Sequence, residues 1–535
     1  MTSIEKLSLD LLLIRSVYRT GDFTPTEVIQ EVYRRIRASS GSSVWLWLRE
    51  EADCLAYAEK VAERLDLPLA GVPFAVTDNI DAMGIPTTAG CQAFAYIPKE
   101  SATVVRLIEA AGGILIGKTV VDQFAVGLAG VDTAGGHYHS VYGNNCIAGG
   151  PGTGAALAVA SGFASFAIGT DTTGAGQSPA AYNHLVSIKP TQGIVSTKGF
   201  VPGCRSLDCA SIFASCVSDA ASVLDVIVAE DPEDPWSRAA RAHTRFACPF
   251  VFGVPKVEQR EFNADLESEI CYLRAIEHLE ALGGRAVEID FAPFRESSVL
   301  AESGAWAAER FHAVGGFVEA HTDAVEPAVA RSILSGKLIN AADVFQATYQ
   351  REILKKMTTG VWEKIDLLVM PTAPTKLSPA DARQRPDAVR ASLSSCSGFV
   401  NLLDLASISV PMGFRTDGIP FGLSLIAPAF SDWELCRIAK TVTGETLSIK
   451  TPKKPSHADA SDILLVVTGT HMMGGSMNHE LLSRRATFRE SVETAPDYAL
   501  YALEGEPPRP GLINVGSMIP NSEVKKASFC AEGCG

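Results

Sequence analysis

Gly149-Gly150-Pro151-Gly152-Thr153-Gly154 and Gly169-Thr170-Asp171-Thr172-Thr173-Gly174-Ala175-Gly176-Gln177 are the two stretches whose reading decides the fold. Both are almost free of bulky side chains, so their backbone is open to close approach by a ligand or by another element. The residues between them, Thr153 through Ala164, are small enough to make a tightly packed helix. Two such loops at the ends of one helix have two readings. They form a site built from main-chain N–H groups, or they are turns around a close helix contact.

Upstream, Gly71-Val72-Pro73-Phe74-Ala75-Val76 and Gly113-Ile114-Leu115-Ile116-Gly117 are short β-rich runs broken by Gly and Pro. Between them Thr103 to Ala111 has the spacing of an amphipathic helix. Strand, helix, strand in that order predicts a parallel or mixed sheet with helices on both faces. The first 65 residues are expected to be helical: Leu7, Leu11, Leu12, Ile14, Val17 and Tyr18 recur at helical spacing, and Thr24-Pro25-Thr26-Glu27 supplies a cap. Downstream, residues 265–285 and 300–356 are expected to be mostly helical. Asp366–Pro371 and Phe421–Ile426 read as buried strands. A polar, Pro-bearing linker spans residues 449–462, after which Ile463–Thr468 restarts a strand.

Composition narrows the function classes. The 535 residues are 47% apolar and 20% charged, with 46 Lys+Arg against 61 Asp+Glu and a net charge of −15. That balance supplies a core and argues against a nucleic-acid partner, which needs clustered Lys and Arg. No apolar run approaches the length of a membrane span, and the N-terminus lacks a signal-peptide pattern. The expectation is a cytoplasmic protein without a membrane partner. The 12 cysteines are scattered, so reduced, buried thiols are expected rather than a disulfide framework or a metal site.

The motifs together resemble the amidase signature family. That family's G-V-P-x-x-x-K-D-N, G-G-S-S-S-G and G-T-D-x-x-G-S-x-R patterns match Gly71–Asn79, Gly149–Gly154 and Gly169–Gln177, and Pro86–Gly90 and Ser187–Thr191 agree with its flanking text. Within it, Val201–Cys209, Phe399–Ala406, Thr468–Met472 and Ala495–Leu503 look most like allophanate hydrolase. The resemblance implies an α/β/α sandwich around a mixed sheet over residues 1–448. Beyond the linker at 449–462 it implies a small, truncated C-terminal α+β module over 463–516, with 517–535 expected to fray. It also implies a homo-oligomer, and no cofactor.

The family's chemistry, as the resemblance implies it, uses a Lys that takes a proton, through a Ser held in a cis conformation, from a nucleophilic Ser. A hydroxyl attacks poorly until a nearby base accepts its proton. The matching positions are Thr77, Pro151 and Ala175, the last two 24 residues apart in the family's register. None carries the required group. His137 and His139, near the first loop, are substitutes as acid/base groups or else plain loop histidines. Ser178 is a displaced nucleophile, or an N-cap before Pro179. Asp78 and Asp171 are expected to accept loop N–H bonds. His471 and His479 match text of the second domain.

A pocket can outlast its triad. The resemblance places an oxyanion hole on the N–H groups of Thr172, Thr173, Gly174 and Ala175, and a carboxylate-holding Tyr/Arg pair at Glu302 and Arg310. Three functions follow: a pseudo-amidase that binds a small carbonyl or carboxylate ligand, a repurposed enzyme doing non-hydrolytic biosynthetic chemistry, or an amidohydrolase with a rearranged site.

Overall fold

A computed structural model describes residues 4–39, 44–126, 138–241, 246, 249–302, 305–445, 462–467, 487–490, 498–503, 509–514 and 527–532. The chain divides into two compact units, Met1–Thr446 and Leu447–Gly535.

The first unit carries strands β1 (Trp45–Leu48), β2 (Pro73–Thr77), β3 (Ile114–Thr119), β4 (His139–Ser140), β5 (Gly143–Ile147), β6 (Phe166–Asp171) and β7 (Val186–Lys189). It continues with β8 (Cys209–Ala214), β9 (Val251–Pro255), β10 (Arg285–Ile289), β11 (Leu367–Pro371), β12 (Leu405–Phe414) and β13 (Pro420–Pro428). Eleven of these make one mixed sheet in the order β1-β3-β2-β6-β8-β7-β12-β13-β11-β9-β10, and β4 pairs with β5. Strand β2 runs parallel to both β3 and β6, while β8 runs antiparallel to β6.

Every residue of β2, β3, β6, β7, β8 and β11 is buried. A strand buried on both faces reads as a continuous apolar run, as Phe74-Ala75-Val76 and Ile114-Leu115-Ile116 do. The helix between them, Thr103–Ala110, buries Val104, Val105 and Ile108. Sheet and helices form the expected α/β/α sandwich.

Near the N-terminus, the helix Leu11–Thr20 buries Leu11, Ile14, Val17 and Tyr18. Thr24 caps the next, Pro25–Ala38, in a reciprocal box with Glu27. The expectation of unbroken helix fails at Trp45-Leu46-Trp47-Leu48, which is β1. Its aromatic residues suit a pleated surface, and it pairs antiparallel with β3, covering that edge of the sheet. The small-residue helix after the first Gly loop ends at Ala160, short of the expected Ala164.

In the second unit the described residues are strands. Asp462–Val467 and Thr487–Glu490 flank Ala527–Glu532 in an antiparallel sheet, and Tyr498–Leu503 pairs with Arg509–Asn514. Ala527–Glu532 lies within the stretch expected to fray. Its alternation, with Phe529 flanked by Ser528 and Cys530, is sufficient to pair with a neighbour on each side. The expected linker, apart from Asp462, lies outside the described residues, as do His471 and His479. Among the described residues no helix is long and apolar enough to cross a membrane.

Candidate functional site

Parallel strands deliver the first part of the site. β2 and β6 are neighbours in register, Val76 opposite Ile168, so Thr77 and the loop after Asp171 emerge side by side. The C-terminal ends of adjacent parallel strands are where α/β sheets place ligands. The first Gly loop follows β5 and meets the second directly. A Cβ on Gly149 would lie 2.9 Å from the Pro179 Cα, and one on Gly152 would lie 2.8 Å from the Phe213 ring. A Cβ on Gly169 would lie 3.0 Å from the same ring, so Phe213 packs beside both the first loop and β6. Thr153 Oγ1 donates to the Gly149 carbonyl. The Gly150–Pro151 peptide is cis, at the position where the resemblance places a cis Ser.

The three triad positions are thus brought to one region, though without a base or a nucleophile. Thr77 is fully buried and its Oγ1 donates to Asn79 Oδ1 at 2.7 Å, while Asn79 Nδ2 donates to Thr170 Oγ1 at 2.9 Å. Pro151 is buried, and Ala175 opens the short turn Ala175–Gln177. Thr119 sits opposite Thr77, and Ser211 opposite Gly169. The hydroxyls of both are buried and have no hydrogen-bond partner among the described residues.

Two fully buried lysines that sequence reasoning passed over stand nearby. Lys118 Nζ donates to the Pro86 carbonyl at 2.9 Å and Thr87 Oγ1 at 2.7 Å, and pairs with Asp78 Oδ1 at 3.2 Å. Burial pushes its pKa down and Asp78 opposes that shift. With three partners for its three protons, it is a structural ammonium rather than a base. Asp78 also accepts the Thr88 and Gly90 N–H groups with Oδ2. Lys189 Nζ lies 3.7 Å from Cys209 Sγ and steadies the charge of Asp171. Both lysines lie in quoted motif text or its immediate surroundings, but only their burial distinguishes them.

The second loop is clamped from several sides. Asp171 Oδ1 accepts the Gly174 N–H at 2.6 Å, and burial pushes this carboxyl upward against Lys189 and the loop N–H groups. The Gly174 N–H, expected in the oxyanion hole, is therefore committed within the loop. Thr172 Oγ1 donates to Asp208 Oδ1 at 2.6 Å, and Asp208 also accepts the N–H groups of Gly203 and Cys204. Burial pushes the Asp208 carboxyl up to about 7, opposed by those three hydrogen bonds. Thr173 is buried. Asn401 Nδ2 donates at 3.0 Å to the carbonyls of both Asp171 and Leu207. Replacing it, Asn401→Ala, strips both carbonyls of their amide donor and leaves Leu207 only the weak Cys209 thiol contact at 3.6 Å. At about 1–3 kcal/mol for each unsatisfied group, we expect chemical denaturation to show a loss of roughly 2–4 kcal/mol.

Arg310, on the helix Ala305–Ala320, is buried; Glu302, ending the helix Ala292–Glu302, is half-buried. Both act on the Cys204 thiol: burial pushes it up to about 12, Arg310 draws it down, and Glu302 adds to the rise. Cys204 is itself hydrogen-bonded to Asp208, which links Arg310 and Glu302 to the second loop. Among the described residues neither Arg310 nor Glu302 makes an ion pair. Glu309, beside Arg310, is occupied instead by Ser206, through its N–H at 2.9 Å and its hydroxyl at 2.5 Å.

The remaining candidates divide. His139 is half-buried in β4, opposite Ile147, on the hairpin leading into the first loop; it is not an exposed loop residue. His137 lies outside the described residues. Ser178 is the first residue of the helix Ser178–Tyr182 rather than its cap, a position held by Gln177; its hydroxyl reaches the Gly150 carbonyl at 3.4 Å. Gln177 Nε2 donates to the carbonyls of Ser187 and Ser407. Among the described residues no group of three or more His, Cys, Asp or Glu could hold a metal ion.

The Amidase family pattern matches residues 27–436. The chain belongs to the amidase family. The pattern of the allophanate hydrolase C-terminal domain matches residues 463–524. Urea amidolyase of Saccharomyces cerevisiae is 35% identical over 84% of the chain, and that of Lachancea kluyveri 36% identical over 88%. The alignments cover 26% and 27% of those proteins, so the chain spans about a quarter of their length. A Kluyveromyces lactis allophanate hydrolase structure superposes with a TM-score of 0.79 at 31% identity, covering 99% of this chain and 90% of that one.

Proposed function

We propose that the amidase unit binds a small ligand bearing a carbonyl or carboxylate group and does not hydrolyse it by the family's acyl-enzyme route. The carrying observation is the content of the three positions. Thr77 has no basic lone pair, and its hydroxyl proton is engaged by Asn79. Pro151 has no proton to relay, and Ala175 has no group to attack with. The recognition elements persist. Arg310 is buried and makes no ion pair among the described residues, and a planar guanidinium fork binds an acid bidentately. Glu302 selects against strongly anionic ligands, so a plain carboxylate binds less well than one carrying a nearby N–H or cationic group.

Calorimetric titration with malonate and with allophanate tests this, alongside an ammonia assay. Arg310→Ala should weaken binding at least ~10-fold, as expected for loss of a charge-assisted pair. Glu302→Gln should strengthen malonate binding. Ammonia release from allophanate by the wild-type protein that disappears in Ser178→Ala would overturn the proposal in favour of a rearranged hydrolase.

One observation favours the repurposed-enzyme reading. Asp208, bonded to Thr172, is held by burial close to neutrality, where a carboxyl can exchange a proton with a bound ligand. Conversion of a ligand without ammonia release, lost in Asp208→Asn while binding persists, would establish that reading.

A further inference from the structure

A cavity of about 120 Å³ opens on the first unit between residues 197–202 and the turn at 233–236. None of Thr77, Pro151, Ala175, Glu302 or Arg310 lines it. A water needs about 10–15 Å³ of such space, so the cavity holds on the order of eight to twelve water-sized groups. Asp208, buried, lines it from within, and Trp236, 45% exposed, lines its rim. Asp208 accepts three protein hydrogen bonds, two on Oδ1 and one on Oδ2. An ionised carboxylate has about four acceptor sites, so Oδ2 keeps one for a donor in the cavity. Arg205 lines the same cavity and makes no hydrogen bond or ion pair among the described residues. The neighbouring charges are already engaged. Lys198 Nζ pairs with Glu233 and, at 3.6 Å, with Glu100. Asp234 accepts the N–H groups of Thr197 and Trp236 at 2.8 and 3.0 Å.

We propose that this cavity binds a small zwitterion of amino-acid size, its acidic group on Arg205 and its ammonium on Asp208. The two unspent groups select for that class. A plain acid drawn to Arg205 also meets the carboxylates of Asp208 and Asp234, and a plain amine drawn to Asp208 also meets Arg205. A ligand with both signs satisfies the two groups at once and is repelled by neither. Phe200, Pro202 and Trp236 supply apolar wall for the carbon skeleton between its charges.

Residues 202–208 are the partition between this cavity and Arg310. Pro202, Arg205 and Asp208 line the cavity. Cys204 Sγ instead donates to the Trp306 carbonyl at 3.2 Å, and the Ser206 N–H to Glu309 at 2.9 Å, both on the helix Ala305–Ala320 that carries Arg310. Asp208 itself holds Thr172 of the second loop at 2.6 Å. A ligand ammonium on Asp208 keeps that carboxylate ionised and the Thr172 hydroxyl on it. A second ligand that meets an already ordered loop loses less freedom on binding. Occupancy of the cavity therefore favours binding at Arg310, an effect that rests on the ligand-binding reading proposed above.

Titration of the full chain with L-asparagine, followed by tryptophan fluorescence, should saturate with a Kd of about 1 mM or less. Trp236→Phe should remove the fluorescence change while calorimetry still shows binding. Succinamate, which lacks the ammonium, and β-alaninamide, which lacks the carboxylate, should each bind at least ~10-fold more weakly. Arg205→Gln should weaken L-asparagine to the same extent, with unchanged circular dichroism because Arg205 is exposed and makes no bond among the described residues. Arg310→Ala should leave L-asparagine binding as it is. Saturating L-asparagine should tighten malonate binding at least ~5-fold in the wild type and not in Arg205→Gln; an unchanged malonate affinity would overturn the link to the second loop. No saturation by about 10 mM, or indifference to Arg205→Gln, overturns the site. So does loss of L-asparagine binding in Arg310→Ala, since the zwitterion would then occupy the Arg310 site. If malonate does not bind at all, the ligand-binding reading of Arg310 fails, and the Trp236 signal still decides whether the cavity is filled.

Discussion

Restoring Lys, Ser and Ser at positions 77, 151 and 175 should raise ammonia release from allophanate at least ~10³-fold above the wild type. Triad members act as a unit: removing one costs nearly as much as removing all, while binding and oxyanion contacts alone leave only a residual rate. Single and double restorations should therefore stay near the wild-type level, and only Thr77→Lys/Pro151→Ser/Ala175→Ser should rise. Thr77 is fully buried, opposite Thr119 on β3. Burial favours the neutral amine over the ammonium, as a base requires. The nearest carboxylate in sequence, Asp78, is already paired with Lys118. A triple variant that folds, binds malonate as the wild type does and still releases no ammonia would show that more than these three groups silences the site.

The sheet and both Gly loops were legible because their signals are local. Continuous apolar runs, Gly-rich turns and the Thr24 cap each express a preference of a few adjacent residues. Strand β1 escaped notice because four residues of aromatic and leucine text, set within helical text, reveal their strand character only when the edge of β3 is beside them. The clamp on the second loop was illegible for a different reason: Asn401 lies 230 residues from Asp171 along the chain, and only the packed fold brings its amide to that carbonyl. The motif offers the Gly174 N–H to a ligand, yet the Asp171 carboxylate, three residues back, takes it at 2.6 Å. On the helix Ala341–Trp362 periodicity identifies two faces without saying which is buried. Its buried positions are Ala347, Leu354 and Thr358, while Phe345, Tyr349, Ile353 and Met357 stand exposed. The absence of a Lys at 77 is plain in the sequence, whereas the engagement of Lys118 by Asp78, Pro86 and Thr87, which removes it as a substitute, is not.

Gly174→Ala should be the most damaging single substitution in the second loop. Gly174 has φ +77°, in the left-handed region where a Cβ costs about 1–2 kcal/mol. Here a Cβ would also lie 2.0 Å from the Ser397 carbonyl oxygen and 2.7 Å from its carbon. These are backbone atoms of the helix Pro386–Ser397, so no rotamer change relieves the overlap, and either the loop or that helix must move. Overpacking of this kind adds about 1–3 kcal/mol, for a total of roughly 2–5 kcal/mol. Gly84→Ala separates the two contributions: its φ is +76°, but a Cβ there meets nothing within 4 Å, so it should carry the conformational cost alone. The loop shift should also disturb the bond between the Gly174 N–H and Asp171, and with it the placement of Thr172 and Thr173. Thermal or denaturant unfolding should therefore rank Gly174→Ala well below Gly84→Ala, and malonate binding should be lost in the first and retained in the second. Equal stability and equal binding in the two variants would mean that the second loop yields freely against Ser397, and that the ligand does not depend on its conformation.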